Sequence, residues 1–208
     1  MEDVLEVYAE PYEPTRPKVN FDETTKQLIK ETRRPLPAQP GRPQRYEYEY
    51  ERNGTRNLFL FVEPQAGRRH VQVTAQRTKG DFAHAMQWLV DEGDPDATVI
   101  RVVLDNLNTH KIASLYEAFA PAEARRIARK LEFHYTPKHG SWLNMAEIEL
   151  SVLQQQCLDR RIPDVDTLTR EIAAWEHQRN GEQATIDWRF SVSEARKKLK
   201  RLYPSLPS

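Results

Sequence analysis

Val99-Ile-Arg-Val-Val-Leu-Asp105 decides the fold, because five of the six residues before the aspartate are aliphatic. A short apolar run without Gly or Pro is typical of a strand that is buried on both faces. Polar side chains follow at once, in Asn106-Leu-Asn108-Thr-His110. Ligands of α/β sheets bind at the carboxyl ends of strands, so Asp105 is a candidate functional carboxylate. Alternatively, Asp105 only caps a helix that begins near Lys111, and this stretch alone does not separate the two.

The composition bounds the class of protein. The 208 residues indicate one domain, and 31 Lys and Arg balance 31 Asp and Glu, so net charge does not indicate a nucleic-acid binder. The single cysteine, Cys157, excludes an internal disulfide and a multi-cysteine zinc site, and we interpret it as a core residue. No apolar run approaches the ~20 residues of a membrane span, and the chain starts without a signal-peptide pattern. We therefore expect a cytosolic protein.

The first 45 residues are rich in proline and unevenly charged. Residues 1–17 carry five acids and three prolines, and we interpret them as an acidic arm or linker and not as a folded unit. Lys18 to Glu23 is predicted to form a short strand that ends at Asp22. Residues 24–45 contain six basic residues, one acid and four prolines, so we expect no regular structure there. This segment either follows a phosphate backbone or is a solvated loop.

Three antiparallel strands are predicted next. Tyr46-Glu-Tyr-Glu-Tyr50 alternates as a half-exposed strand does, and Asn53-Gly54 predicts a tight hairpin turn. Residues 57–62 form the returning, more buried strand, and residues 70–74 form the third.

Helices and strands alternate in the second half of the chain. A further strand is predicted over residues 131–135, and Ser193 is expected to cap the last helix. The predicted helices cover residues 81–92, 111–119, 121–130, 143–158, 164–178 and 193–203. This order predicts an α/β fold, a mixed sheet with helices on both faces, and it matches a ribonuclease H-like fold.

Carboxylates dominate the candidate chemistry. Asp22 and Asp105 end strands, and either Glu147 or Glu149 follows on a helix. Carboxylates without a cysteine or histidine cluster favour Mg²⁺ or Mn²⁺, and two such ions can bind the attacking and leaving oxygens of a phosphodiester. The two glutamates lie about 80° to either side of the apolar stripe of the helix, so helix geometry does not choose between them. The other glutamate is expected to be ordinary surface charge.

Two long motifs resemble those of DDE-type transposases of bacterial insertion sequences, which are related to the mariner superfamily. The first is Val102-Val-Leu-Asp105-Asn-x-Asn-x-His110, and the second is His134-Tyr-Thr-Pro-Lys-His-Gly-Ser-Trp-Leu-Asn144-x-x-Glu147. Phe21-Asp-Glu23 is similar to the first catalytic motif of that family. The resemblance implies a ribonuclease H-like catalytic domain over residues 18–208. Such a domain cuts DNA at transposon ends and joins it to a target, in the bacterial cytoplasm and at the nucleoid when bound to DNA.

The resemblance also implies the catalytic and metal-binding residues. They would be Asp22, Asp105 and Glu147, because the last acid of the family follows Leu-Asn after two intervening residues. Two ions of Mg²⁺ or Mn²⁺, double-stranded DNA and a homodimer on DNA are implied as cofactors and partners. The 41 residues between Asp105 and Glu147 exceed the compact spacing of the superfamily, and the 121–130 helix fits as an insertion. Family members normally begin with helix-turn-helix modules, but only about 17 residues precede the first strand here, so we expect weak sequence-specific recognition.

Further polar residues are assigned supporting roles. Groups expected to orient carboxylates or phosphates, or to lie beside them, are Asn106, His110, Asn144 and Glu149. Contacts with DNA are expected from Arg33, Arg34, Arg42, Lys138 and His139. A histidine metal site at His110, His134 and His139 is a minor alternative, because Pro137 and Gly140 oppose a shared helical face. We interpret Trp142 as a core or helix-start residue, with stacking on a flipped base as the minor alternative, and Trp175 and Trp188 as core.

Three hypotheses of function remain at this point. The first is a metal-dependent DNA strand transferase, and the second is a ribonuclease H-like nuclease that cuts without joining. The third is a catalytically silent DNA-binding or dimerisation module derived from a transposase. Metal binding separates the first two from the third, and a joined product separates the first from the second.

Overall fold

A five-stranded mixed sheet forms the centre of the molecule. The computed structural model describes residues 1–33, 39–42, 48–138 and 140–202. The strands are β1 Lys18–Glu31, β2 Tyr50–Glu63, β3 Arg68–Thr74, β4 Ile100–Leu104 and β5 Leu131–Tyr135. Their order is β3-β2-β1-β4-β5. Strands β1, β2 and β3 pair antiparallel, whereas β1–β4 and β4–β5 pair parallel. The predicted mixed sheet is confirmed.

Helices cover both faces of this sheet. They are α1 Glu2–Ala9, α2 Lys79–Trp88, α3 Ile112–Ala118, α4 Pro121–Lys130, α5 Met145–Leu153, α6 Val165–Gly181 and α7 Val192–Lys198. One core lies under α2, α3 and α4, a second lies under α5 and α6, and a third joins α1 and α7 to the sheet. Both α2 and α5 continue into one π-helical turn. Among the described helices, none is long and apolar enough to cross a membrane.

The first hairpin differs from the prediction. β1 continues nine residues beyond Asp22, and β2 runs through Asn53-Gly54 without turning. Between the pairs Gln27–Thr55 and Ile29–Arg52, β1 advances two residues and β2 three, so Asn53-Gly54 forms a bulge. Gly54 has φ 85°, a conformation that suits glycine and is needed in turns and bulges alike. The predicted hairpin turn is therefore wrong, and part of the predicted 46–50 strand lies outside the described residues.

The acidic N-terminal segment folds against the sheet. Helix α1 buries Val4, Leu5, Val7 and Tyr8 in the third core, beside Val103 of β4. The interpretation of these residues as lacking a folded unit is wrong, because four apolar side chains on two helical turns provide enough surface to dock.

Edge strand β3 is covered by side chains of α6. The backbone N–H of Arg69 donates to Asn180 Oδ1 at 2.9 Å, and the amide of Asn180 donates back to the carbonyl of Arg69 at 2.9 Å. The backbone N–H of Val71 donates to Glu176 Oε2 at 2.9 Å. These side chains satisfy backbone groups that a neighbouring strand would otherwise bind.

Smaller expectations have mixed outcomes. Cys157 and Trp175 are buried as predicted, whereas Trp188 is only half-buried. Helix α7 is capped by Ser191 and not by Ser193, because Ser191 and Glu194 form a reciprocal capping box.

Candidate active site

Two aspartates lie in matching register at one edge of the sheet. The parallel pairing of β1 and β4 ends at Asn20 and Val103. Asp22 and Asp105 each follow two residues later, so both lie at the carboxyl end of this parallel pair. Asp105 does not cap α3, since Lys111 occupies the N-cap position of that helix. The capping alternative for Asp105 is therefore wrong.

The start of α5 is tied to β1 through Asn144. The side chain of Asn144 caps α5 by accepting from the N–H of Ala146 at 3.1 Å. Its Nδ2 donates to the carbonyl of Phe21 at 2.8 Å and lies 3.4 Å from Oδ2 of Asp22. Glu147 lies in the first turn of the same helix. Acids from β1, from the end of β4 and from α5 thus share one edge.

The pKa of Asp22 is affected by its burial and by the neighbouring acids. Burial raises the pKa of Asp22, the backbone N–H of Glu23 lowers it, and the negative charges of Glu23, Asp105 and Glu147 raise it further, to about 7. Like charges that are held together disfavour ionisation. The arrangement can therefore bind a cation that offsets this repulsion.

His110 connects two of the acids. Its Nδ1 lies 2.5 Å from Asp105 Oδ1, and its Nε2 lies 3.1 Å from Glu23 Oε2. Burial lowers the pKa of His110, but the contacts with Asp105 and Glu23 outweigh burial and raise it to about 9. A protonated imidazole in this position fixes the orientation of Asp105 and neutralises part of the acidic charge.

Glu149 is not the surface charge that the sequence suggested for the second glutamate. It is 1 % exposed, and its carboxylate lies 3.0 Å from Nε of Arg69 and 3.1 Å from Nε of Arg179. That expectation failed because its partners come from β3 and α6, distant in sequence. Through these two ion pairs, Glu149 links α5 to β3 and α6.

The remaining predicted residues lie in different places. Asn106 is exposed directly after Asp105, and Lys138 is exposed in the loop between β5 and α5. Arg33 follows the far end of β1, and the nine residues from Asp22 to Glu31 span about 30 Å, so the structure does not bring Arg33 to the carboxylates. Arg42 belongs to an isolated bridge with Gln39. Arg34 and His139 lie outside the described residues.

The histidines do not form a shared cluster in the described part of the chain. His134 contacts Asp3 at 2.9 Å and Glu132 at 2.8 Å, whereas His110 contacts Asp105 and Glu23. No group of three or more His, Cys, Asp and Glu side chains has metal-site spacing among the residues that the structure describes. The donors at the sheet edge are nevertheless carboxylate oxygens under mutual repulsion, and this donor set fits Mg²⁺ or Mn²⁺.

Two residues near this edge were given no role from the sequence. Glu23 was only part of a motif, yet its side chain is 4 % exposed against His110. The Tyr8 hydroxyl lies 2.5 Å from Oδ1 of Asn20 and 2.8 Å from the carbonyl of Leu143, just before Asn144. The apolar spacing of α1 was the signal that could have found Tyr8.

Comparison with protein families gives one match over most of the chain. The family model described as "DDE superfamily endonuclease" matches residues 17–169. No protein of curated function matches the chain.

Several solved structures share the fold. The Mos1 mariner paired end complex with Mn superposes with a TM-score of 0.56 at 12 % identity, covering 87 % of this chain and 54 % of that one. The pre-cleavage Mos1 transpososome gives 0.52 at 12 % identity, covering 87 % and 58 %. The mariner Mos1 paired end complex with Mg gives 0.50 at 14 % identity, covering 88 % and 58 %. The chain thus spans about half the length of these proteins, and the shared architecture is ribonuclease H-like.

Proposed function

Because the chain belongs to the DDE superfamily of endonucleases, we propose that it cuts phosphodiester bonds at transposon ends and joins the ends to target DNA. Asp22, Asp105 and Glu147 are the catalytic residues in this proposal. It is supported chiefly by one observation: Asn144 joins Asp22 on β1 to the start of α5, which carries Glu147, and Asp105 follows β4, the parallel neighbour of β1.

The same three carboxylates would hold two ions of Mg²⁺ or Mn²⁺. Bound there, the ions supply activation of the attacking hydroxyl or water and stabilisation of the leaving oxygen. The mutual repulsion of the acids supports this assignment, since a cation removes an unfavourable interaction that the metal-free protein carries.

Neighbouring side chains orient the carboxylates. Asn144 holds Asp22 through its Nδ2 while its Oδ1 fixes the start of α5, so Asp22 and Glu147 are placed by one side chain. His110 holds Asp105 and adds positive charge between Asp105 and the buried Glu23. Rigid placement of reacting groups is the main contribution that a protein makes to phosphoryl transfer.

The DNA backbone would be bound by basic side chains around this edge. In this proposal Lys138 and His139, which precede α5 in the sequence, bind phosphates next to the cut bond. Asn106, which follows Asp105, orients a carboxylate or a phosphate. Arg33, Arg34 and Arg42 would contact DNA farther along, beyond the end of β1. Joining two transposon ends needs two active sites, so we propose a homodimer on DNA.

Nicking of supercoiled plasmid tests the proposal. The wild-type protein is incubated with Mg²⁺ or Mn²⁺ beside Asp105→Asn, and Asp91→Asn serves as a matched control because Asp91 lies on the π turn after α2, paired with Arg126. We expect nicking by the wild type and by Asp91→Asn, and none by Asp105→Asn. Equal nicking by Asp105→Asn would refute the assignment.

A second assay separates the candidate activities. Pre-cut transposon ends are offered together with plasmid, and joined products are scored. Joining supports strand transfer, whereas cutting without joining leaves a ribonuclease H-like nuclease. Absence of both cutting and metal binding would leave a silent DNA-binding or dimerisation module.

A further inference from the structure

Large apolar side chains are exposed around the acidic edge. Leu107 is 42 % exposed, Trp142 43 % and Ile148 43 %. Leu107 lies two residues after Asp105, Trp142 two residues before Asn144, and Ile148 directly after Glu147. Among these three, Trp142 has the flat aromatic surface that a planar ligand can stack on.

Trp142 is mounted rigidly. It is the middle residue of a 3₁₀ turn, Ser141–Leu143. Leu143 is fully buried, and its carbonyl contacts the Tyr8 hydroxyl at 2.8 Å. The indole stacks on Trp188 with an interplanar angle of 18° and a centroid distance of 6.5 Å. Phe190 meets it edge-on at 5.5 Å. The backbone of Trp142 also lies within roughly 7 Å of the backbone of Asn144, which contacts Asp22.

Basic side chains lie close to this aromatic group in the fold or in the sequence. Lys138 is exposed four residues before Trp142. Lys198 Nζ lies 5.7 Å from the ring centroid of Phe190 and 3.2 Å from Glu194, and Lys197 lies in the same last turn of α7. An aromatic surface with flanking cations is the combination that binds single-stranded nucleic acid, since bases stack while phosphates are neutralised.

We propose that Trp142 is a stacking platform for an unpaired nucleobase next to the phosphodiester that is cut. The inference rests on the proposed function, because the acids beside the platform define where the phosphodiester lies. Bases within a duplex are covered by their neighbours, so only a base displaced from the stack offers a face to the indole. The substrate would therefore be DNA whose strands are locally separated at the cut site.

Equilibrium binding to two DNA probes tests this proposal. One probe is a fully paired duplex, and the other carries a short unpaired stretch that contains 2-aminopurine. Both are titrated with the full chain without added divalent cation, so that cleavage does not intervene. The variants are Trp142→Ala, Trp142→Phe, which keeps an aromatic ring, and Tyr116→Ala as a control, since Tyr116 is 48 % exposed on α3.

We expect Trp142→Ala to bind the unpaired probe about 5- to 100-fold more weakly than the wild type, with binding to paired DNA unchanged. The wild type should quench 2-aminopurine emission by stacking, and Trp142→Phe and Tyr116→Ala should retain that quenching. Equal binding and equal quenching by Trp142→Ala and the wild type would overturn the platform.

Plasmid nicking by the same proteins keeps this proposal apart from the proposed function. Metal-dependent nicking without a Trp142-dependent preference for unpaired DNA would reject the platform and leave the nuclease. A Trp142-dependent preference without nicking by the wild type would support the platform and reject the catalytic assignment.

Discussion

Glu147 and Glu149 lie two residues apart on one helix and have opposite surroundings. Glu149 is 1 % exposed between the guanidinium groups of Arg69 and Arg179. Glu147 lies in the first turn of α5, close enough to Asp22 that its negative charge, like that of Asp105, raises the pKa of Asp22. The charge of Glu149 is neutralised by two arginines where it is buried, whereas the charge of Glu147 adds to the repulsion among the other acids. A fold accumulates like charges at one edge only where another contribution outweighs the cost, and in proteins that edge is typically functional.

The largest expected effect is the loss of nicking activity on substitution of Glu147. Glu147→Gln should lower metal-dependent nicking by at least about 10³-fold, because the amide cannot replace a catalytic carboxylate. Plasmid nicking, together with circular dichroism to verify folding, measures the effect. The matched variant is Glu149→Gln, whose folded fraction should nick at nearly the wild-type rate. If Glu149→Gln abolishes nicking in folded protein and Glu147→Gln does not, the assignment of the two glutamates is reversed.

Substitution of Glu149, which is paired with two arginines, should instead lower the stability of the folded protein. Glu149→Gln leaves Arg69 and Arg179 without their carboxylate in a buried site, and we expect the free energy of unfolding to fall by about 3–5 kcal/mol. Urea denaturation measures this loss, with Glu132→Gln on β5 as the exposed control. A loss similar to that of the control would mean that the ion pairs do not hold α5 to β3 and α6.

Removing the charge of Asp22 from the acidic edge should raise the free energy of unfolding, whereas Glu149→Gln should lower it. Burial raises the pKa of Asp22 in the folded protein to about 7. The folded state is therefore more stable when this carboxyl is protonated than when it is ionised. That stabilisation is complete below about pH 4 and is lost as the pH rises through 7. Asp22→Asn should therefore stabilise the metal-free protein by about 1–3 kcal/mol at pH 8 and by much less at pH 4. Denaturation in EDTA at both pH values measures the difference, and destabilisation at pH 8 would contradict it.

The smallest expected effect concerns Tyr8, an uncharged side chain that contacts residues next to the acidic edge. Tyr8→Phe removes the hydroxyl that contacts Asn20 and Leu143, and we expect a loss of about 1 kcal/mol of unfolding free energy. The start of α5 should then position Asn144 less firmly and slow kcat for nicking, with KM unchanged. Tyr116→Phe on α3 is the matched control. A normal kcat would limit Tyr8 to a packing role.

The sequence predicted those elements whose determinants are local. The aliphatic run before Asp105 specified β4, and Pro121–Lys130 and Leu131–Tyr135 were placed to the residue. Periodicity and proline position act over a few residues, so one sequence suffices for them.

The failures depend on long-range pairing. Asn53-Gly54 has the conformational preference of a hairpin turn, but the pairing of β2 with β1 uses that preference in a bulge. Arg179 lies 30 residues from Glu149, and the residues that contact the Tyr8 hydroxyl, Asn20 and Leu143, lie 12 and 135 residues from Tyr8. No local pattern predicts such partners, because they exist only when the elements are packed together.

The side chains of α6 along β3 also limit how the sheet can grow. Asn180 and Glu176 already occupy the outward backbone groups of Arg69 and Val71. A strand from another molecule that approached this edge would have to displace both side chains before it gained a hydrogen bond. Edge-to-edge polymerisation through β3 is thereby disfavoured, and copies that assemble on DNA would have to meet through other surfaces.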